Sequence, residues 1–162
     1  MGYWEEINMD DMQAVLFNLN GIACGASSSQ VHEIVKLQEI SRVPNMPGFI
    51  EGMINLRGKV VPIVNLNRRF DLGETPITKK TKIIITKVND SFIGYIVNEV
   101  SEITKFPSNN LERPSEVLRK INNNYIKCVG IKEEKIIIII DLAALLSDSE
   151  LDMIKSPTLV TA

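Results

Sequence analysis

Apolar positions fall in short blocks along this chain, and turn residues divide the blocks. Ala14 to Leu19 and Ile22 to Ala26 are apolar-rich runs on either side of Asn20-Gly21, and Val31 to Leu37 is a third run after a serine-rich stretch. Asn-Gly between two such runs signals a hairpin, because both residues accept the positive φ that a two-residue loop demands. The same arrangement recurs downstream. Phe49 to Leu56 and Val60 to Leu66 flank Arg57-Gly58-Lys59, Lys82 to Val88 and Phe92 to Val100 flank Asn89-Asp90, and Tyr125 to Ile131 and Lys135 to Ile140 flank Lys132-Glu133-Glu134. Short runs rich in β-branched residues with turn signals between them predict strands. Helical spacing is sparse. It predicts a short helix or turn over 67–74, one or two turns over Ser115 to Ile121, and a helix in LAALLSDSELDMIK, with Asp141 as the candidate N-cap. The acidic start, residues 1–12, predicts a flexible arm, and the last residues, SPTLVTA, predict disorder.

The order of elements repeats. Glu33-Ile34-Val35, a proline-containing loop, Glu51-Gly52-Met53-Ile54 and Lys59 to Leu66 form one copy. Glu102-Ile103-Thr104, a second proline-containing loop, Val129-Gly130-Ile131 and Lys135 to Leu142 form the other. Each copy is a strand, a long loop and a hairpin ending in a helical turn. Two packed units of short strands follow, and many short strands with Gly and Pro turns favour small barrels over an open sheet. Asn55, Arg57 and Pro62 lack counterparts in the second copy, so function is expected in the first copy or at the seam between the two.

Composition narrows the classes. The chain has 162 residues, 44% hydrophobic and 23% charged, with 18 basic residues against 20 acidic. Nucleic-acid binders usually carry a basic surplus, which is absent here, although Arg68 and Arg69 form a candidate local patch. The cysteines, Cys24 and Cys128, are far apart and outside any C-x-x-C, and there is one histidine, His32. That excludes the usual metal-ligand spacings, and the cysteines read as small buried residues in a reducing compartment. No run reaches the roughly 20 apolar residues of a spanning helix, and the N-terminus lacks a signal core. A cytoplasmic protein is expected. Gly-x-Ser-x-Gly and glycine-rich phosphate loops are both missing. The acids lie mostly in tails and turns, so the remaining reading is a binding module, not an enzyme, with no cofactor.

Arg57 is the candidate recognition residue. A charged side chain at a tight turn between largely buried strands is fixed in direction by its backbone, and a fixed guanidinium can hold a carboxylate in a planar two-pronged contact.

The segment Gly52 to Leu66 reads G-x-x-N-L-R-G-x-x-x-P-x-x-x-L, and in this it resembles the CheW family of bacterial chemotaxis coupling proteins. Val31-His32-Glu33-Ile34-Val35, Val43-Pro44, Val97-Asn98-Glu99-Val100 and Ile140-Asp141-Leu142 are similar to further family segments, with Asn98 where Asp is usual. The resemblance covers about residues 14–148. It implies a mainly β fold of two SH3-like barrel subdomains packed together, with short helices including a C-terminal one. The expected organisation is an arm over 1–12, a single CheW-like domain over 13–148 divided near 80–85 with its first strands open to exchange, and a tail over 149–162. It further implies a non-catalytic adaptor between the cytoplasmic tips of chemoreceptors and the regulatory domain of the CheA kinase, touching membranes only through receptors. Carried over by position, a receptor groove would be lined by Val15, Ser28, Val31, Glu33, Asn55, Arg57 and Val100, with Glu33 and Arg57 at its rim, and Gly52 would belong to the kinase surface. The stretch Cys24 to Gln30 departs from the family by being smaller and more polar. Two rival readings are a small β-barrel nucleic-acid-binding module and an enzyme with a carboxylate pair between the barrels.

Overall fold

The computed structural model describes residues 10–114 and 125–155. The chain opens with a hairpin, β1 (Met12–Leu19) and β2 (Ile22–Ser27), about Asn20 and Gly21 at φ 43° and 95°. A 3-10 turn, Ser28–Gln30, leads to β3 (Glu33–Lys36). A long loop then precedes the hairpin β4 (Ile50–Leu56) and β5 (Lys59–Asn65), which runs into a one-turn helix, α1 (Leu66–Arg69). Next come β6 (Lys82–Val88), β7 (Ser91–Val97), β8 (Glu99–Phe106) and a short β9 (Leu111–Glu112). The last hairpin is β10 (Ile126–Lys132) and β11 (Lys135–Ile140), followed by a 3-10 turn, Leu142–Ala144, and α2 (Asp148–Lys155).

The strands form two curled sheets. One has the order β3-β6-β7-β5-β4, the other β8-β1-β2-β11-β10-β9. Over five positions the two rows match, and the second adds the short β9 at its end. Each has an edge strand, an antiparallel hairpin, a parallel join, and a second hairpin: β7 lies parallel to β5 (Gly94 beside Ile63) and β2 lies parallel to β11 (Gly25 beside Ile139). The repeat in the sequence is thus a repeat in space. The hairpin β1–β2 completes the second sheet although it comes first in the chain.

Three apolar clusters follow from this. Ile54, Leu56, Val61, Ile63, Ile83, Ile85 and Ile96 fill the first barrel, and Ala14, Leu16, Phe106, Leu111, Cys128, Ile137 and Ile139 fill the second. The third lies between the barrels and takes Phe17, Val64, Ile84, Tyr95, Ile140, Leu142 and Leu145. Neighbours in sequence go to different clusters: Leu16 and Phe17, Ile63 and Val64, Ile139 and Ile140. A strand buried on both faces reads as a continuous apolar run instead of alternating, which is why the central strands are so uniformly apolar. Each large side chain so buried stabilises by about 1.5–3 kcal/mol. The shared cluster therefore binds the barrels into one body.

Three expectations need correction. The run Phe92 to Val100 is not one strand: β7 ends at Val97 and β8 begins at Glu99 on the other sheet. Residues 80–85 are not where the sheets divide, since β6 and β7 belong with β3, β4 and β5, and the crossing comes at Asn98. The polar loop before β6 resembles a linker but only connects α1 to the same sheet. Finally, packing continues past residue 149, because Leu151 and Ile154 of α2 bury in the shared cluster. The helical turns expected over 115–121, most of the arm over 1–12 and the end of the tail lie outside the described residues.

Candidate functional site

The β4–β5 loop has two residues, Arg57 and Gly58, closed by the pair Leu56 and Lys59. Both have positive φ, 51° and 87°. That is the backbone of a primed hairpin turn, which prefers Asn or Gly at its first position. Arg57 holds a left-handed conformation that β-carbon sterics disfavour. Asn55 supports it, its side-chain oxygen accepting from the Gly58 N–H at 2.8 Å. The guanidinium of Arg57 donates through Nη2 to Oε1 of Glu33, at the start of β3. This hydrogen bond, more than the bare charge, holds the Glu33 carboxyl below the usual carboxylate range and raises Arg57 above its own. Arg57 remains 68% exposed at its side chain, so most of the guanidinium faces outward.

The expected receptor residues fall into two sets. Glu33, Asn55 and Arg57 meet at the tip of the first barrel. Val15, Ser28 and Val100 lie on the β1–β2–β8 side of the second. Val15 faces Ala26 and Ile103, Val100 faces Phe17, and the Ser28 hydroxyl donates to Oε1 of Gln13 at 3.0 Å. Val31 sits between the sets, on the crossing from β2 to β3. Val31 and Val100 are half-buried against the shared cluster. Val15 is 2% exposed and can shape a wall only from behind. Gly52 is buried on β4 at φ 145°, and a β-carbon there would stand 2.1 Å from the Ser41 carbonyl oxygen. Close backbone approach accounts for this glycine, so any partner contact there would fall on its neighbours.

The neighbouring arginines Arg68 and Arg69 are both paired. Arg68 pairs with Glu51 and with Glu74, and Arg69 pairs with Glu150 at 3.4 Å while donating to the Leu145 carbonyl at 2.9 Å. The candidate basic patch at Arg68 and Arg69 is therefore neutralised, which removes its support for a nucleic-acid surface. Among the described residues no cluster of His, Cys, Asp or Glu could hold a metal ion. Beside the Arg57 turn an open hollow of about 360 Å³ is lined by Val60, Pro62, Phe92, Ile93 and Ile154, with Lys59 stacked over the Phe92 ring at 4.7 Å.

Sequence reading missed the amide residues that tie the barrels together. The Asn98 and Asn20 side chains join at 2.9 Å, and Asn98 Oδ1 also accepts from Asn20 N–H and from Asn67. Gln30 makes the corresponding link at the other crossing. Asn20 was legible only as a turn residue and Asn98 only as a departure from a motif.

Comparison with known proteins gives a consistent result. Residues 13–150 match the family model described as a CheW-like domain. The chain is 35% identical over 132 residues to chemotaxis protein CheW of Bacillus subtilis, covering 82% of this chain and 85% of that one. It is 30% identical over 149 residues to chemotaxis protein CheW of Treponema pallidum, covering 90% and 88%. The crystal structure of the scaffolding protein CheW from Thermoanaerobacter tengcongensis superposes with a TM-score of 0.78 at 34% identity, covering 86% of this chain and 94% of that one.

Proposed function

This chain belongs to the CheW family, and on that premise we propose that it is a cytoplasmic adaptor coupling transmembrane chemoreceptors to the CheA histidine kinase. It is a chemotaxis scaffold and not an enzyme. Its effect on phosphotransfer passes through the proteins it holds. The receptor's helical hairpin lies along the seam, where half-buried Val31 and Val100 offer apolar contact and Arg57 offers a charged rim. The observation that carries this reading is Arg57 itself. A guanidinium is held outward at a turn whose backbone disfavours arginine, with one side engaged by Glu33 and the other facing solvent. The two-residue turn imposes this conformation on whatever residue stands there, as on Glu133 in the second barrel, so the support for a partner is the exposed guanidinium fork that the turn aims outward, which suits a carboxylate. The kinase regulatory domain meets a separate surface, along β4 near Gly52, an edge strand that carries the isolated Ser41–Met53 bridge.

The test is kinase autophosphorylation with receptor-containing membranes, with and without this chain. Receptor-dependent gating of the kinase is expected only when the chain is present, and Arg57→Glu is expected to lower receptor-fragment binding while kinase binding stays. Equal kinase activity with and without the chain overturns the adaptor reading. Unchanged receptor affinity in a folded Arg57→Glu protein overturns the placement of the receptor site.

A further inference from the structure

From the geometry of the crossing between β2 and β3 we infer that Gln30 is a positioning residue, which fixes the two barrels relative to each other and thereby sets the seam where the receptor is proposed to bind. Gln30 lies between Ser28 and Val31, where the chain passes from one sheet to the other. Its Nε2 donates to Oδ1 of Asp141 at 2.7 Å, and its Oε1 accepts from the Leu142 N–H at 2.9 Å. The orientation of the amide is unambiguous, because a carboxylate only accepts and a peptide N–H only donates. Both partners follow β11 in the second barrel. The Gln30 carbonyl accepts from the Thr86 hydroxyl at 2.7 Å, and Thr86 is on β6 of the first barrel. One residue thus grips both barrels, with its side chain on one and its main chain on the other.

The partners are themselves well anchored. Asp141 Oδ1 also accepts from Ala143 N–H at 3.0 Å, capping the 3-10 turn, and Leu142 and Thr86 are 1% and 3% exposed. The main-chain grip continues at His32, whose N–H donates to the Ile85 carbonyl at 2.7 Å. Val31 is therefore held between two fixed points. Apolar packing between the barrels is strong and closely fitted, but the burial term behind it is undirected. Hydrogen bonds are directional, so Gln30 at this crossing and the Asn20–Asn98 pair at the other help fix the register, alongside the Tyr95 hydroxyl donating to the Leu142 carbonyl at 3.2 Å and Arg69 Nε donating to the Leu145 carbonyl at 2.9 Å. Since the candidate receptor residues come from both barrels, a change in their setting would alter the seam without altering either barrel.

The binding half of this inference rests on the receptor reading above, so two readouts are needed. Spin labels on Val60→Cys and Ile136→Cys, both exposed and one on each barrel, report the distance between barrels in the full chain. Affinity for a receptor-tip hairpin fragment reports the seam. Gln30→Ala is expected to broaden the distance distribution and weaken fragment binding about tenfold, the scale of one lost charge-assisted bond. Gln30→Glu places two carboxylates together and is expected to do the same at neutral pH, with recovery as the pH falls and the pair takes up a proton. The decisive readout is this recovery in Gln30→Glu, since a protonated carboxyl donates to Asp141 and accepts from the Leu142 N–H as the amide does. It is expected to bring both readouts to within about twofold of the parent at low pH, which repair of general stability alone would not explain. An unbroadened distance distribution in Gln30→Ala overturns the inference, as does a Gln30→Glu distribution that stays broad at low pH while that of the parent stays narrow. Broadened distances with parental fragment affinity overturn the link to the seam. Failure of the parent protein to bind any fragment counts against the receptor reading, and the distances still decide the role of Gln30.

Discussion

Glu33 and Arg57 close the first barrel where no ladder joins its outer strands, one residue starting β3 and the other at the tip beyond β4. The second barrel repeats the device. Glu102 on β8 pairs with Lys132 at the end of β10 at 3.0 Å, and the turn beyond it, Glu133 and Glu134, has φ values of 51° and 67°. An ion pair at this position is therefore a feature of the barrel. What singles out the first copy is that the cation is an arginine and stands in the turn itself.

Arg57→Asn separates these roles. Asparagine suits the first position of a primed turn better than arginine, while it removes both the pair with Glu33 and the outward fork. Exposed ion pairs add little to stability, so the thermal midpoint of Arg57→Asn is expected to equal or exceed that of the parent. Receptor-fragment affinity is expected to fall about as far as in Arg57→Glu. Differential scanning calorimetry and a binding titration on one preparation check both. A lowered midpoint would mean that the pair with Glu33 outweighs the turn.

Gly52 presents a case in which packing and partner contact are separable. Its β-carbon would meet the Ser41 carbonyl oxygen at 2.1 Å and carbon at 2.8 Å. Backbone cannot yield as a side-chain tip can, and φ of 145° is itself hostile to other residues. Gly52→Ala is expected to cost about 2 kcal/mol or more by urea denaturation and to release the Ser41–Met53 bridge. Kinase binding lost by Gly52→Ala but kept by Ser41→Ala would place the kinase contact on the displaced strand edge and not on the serine side chain.

Much of this fold was legible because it is local. Asn20-Gly21, Arg57-Gly58, Asn89-Asp90 and Glu133-Glu134 are all hairpin tips with positive φ at the turn, and the repeat of hairpins announced two similar units. The division of the sheets was not legible. It depends on Asn98, whose N–H donates to the Asn18 carbonyl at 3.0 Å and carries the chain across, a contact 80 residues away in sequence. In the candidate site, Arg57 stood out by its residue type, and Glu33 joined it only through the family motif. The neutralisation of Arg68 by Glu51 and Glu74, and of Arg69 by Glu150, needed the fold to be known. Gln30 gave no signal, since an isolated glutamine in a serine-rich stretch reads as a solvated loop.

The matched glycines of the two barrels allow a comparison of packing. A β-carbon on Gly94 would meet Ile63 Cδ1 at 2.7 Å and Ile83 Cγ2 at 2.8 Å, whereas on Gly25 it would meet Leu16 Cδ2 at 3.0 Å and Ile139 Cδ1 at 3.1 Å. Both lie at the parallel join, but the first barrel is tighter there. Gly94→Ala is expected to lose about 2 kcal/mol and Gly25→Ala about half as much, read from urea midpoints at unchanged slope. The reverse order would show that Leu16 is less free to move than Ile63.

Burial of the thiols predicts how the protein fails in alkali. Cys24 lies in the cluster between the barrels, and desolvation pushes its pKa up from 9.0 to about 12. Cys128 lies inside the second barrel and is pushed from 9.0 to about 11, with Lys127 opposing slightly. Burial raises Tyr95 in the same direction. In the folded state these groups keep their protons at a pH where the unfolded chain has lost them, so unfolding releases protons and rising pH favours it. Below about pH 9 there is no such penalty. Between there and pH 12 each pH unit is expected to cost about 1.4 kcal/mol on account of Cys24 alone. Urea denaturation at fixed ionic strength from pH 8 to 11 measures the slope. Cys24→Ala will start from lower stability because it leaves a small cavity, but its decline should be shallower by close to one proton. Parallel slopes for the two proteins would mean that Cys24 ionises in the folded state as easily as in water, and that the seam between the barrels admits solvent.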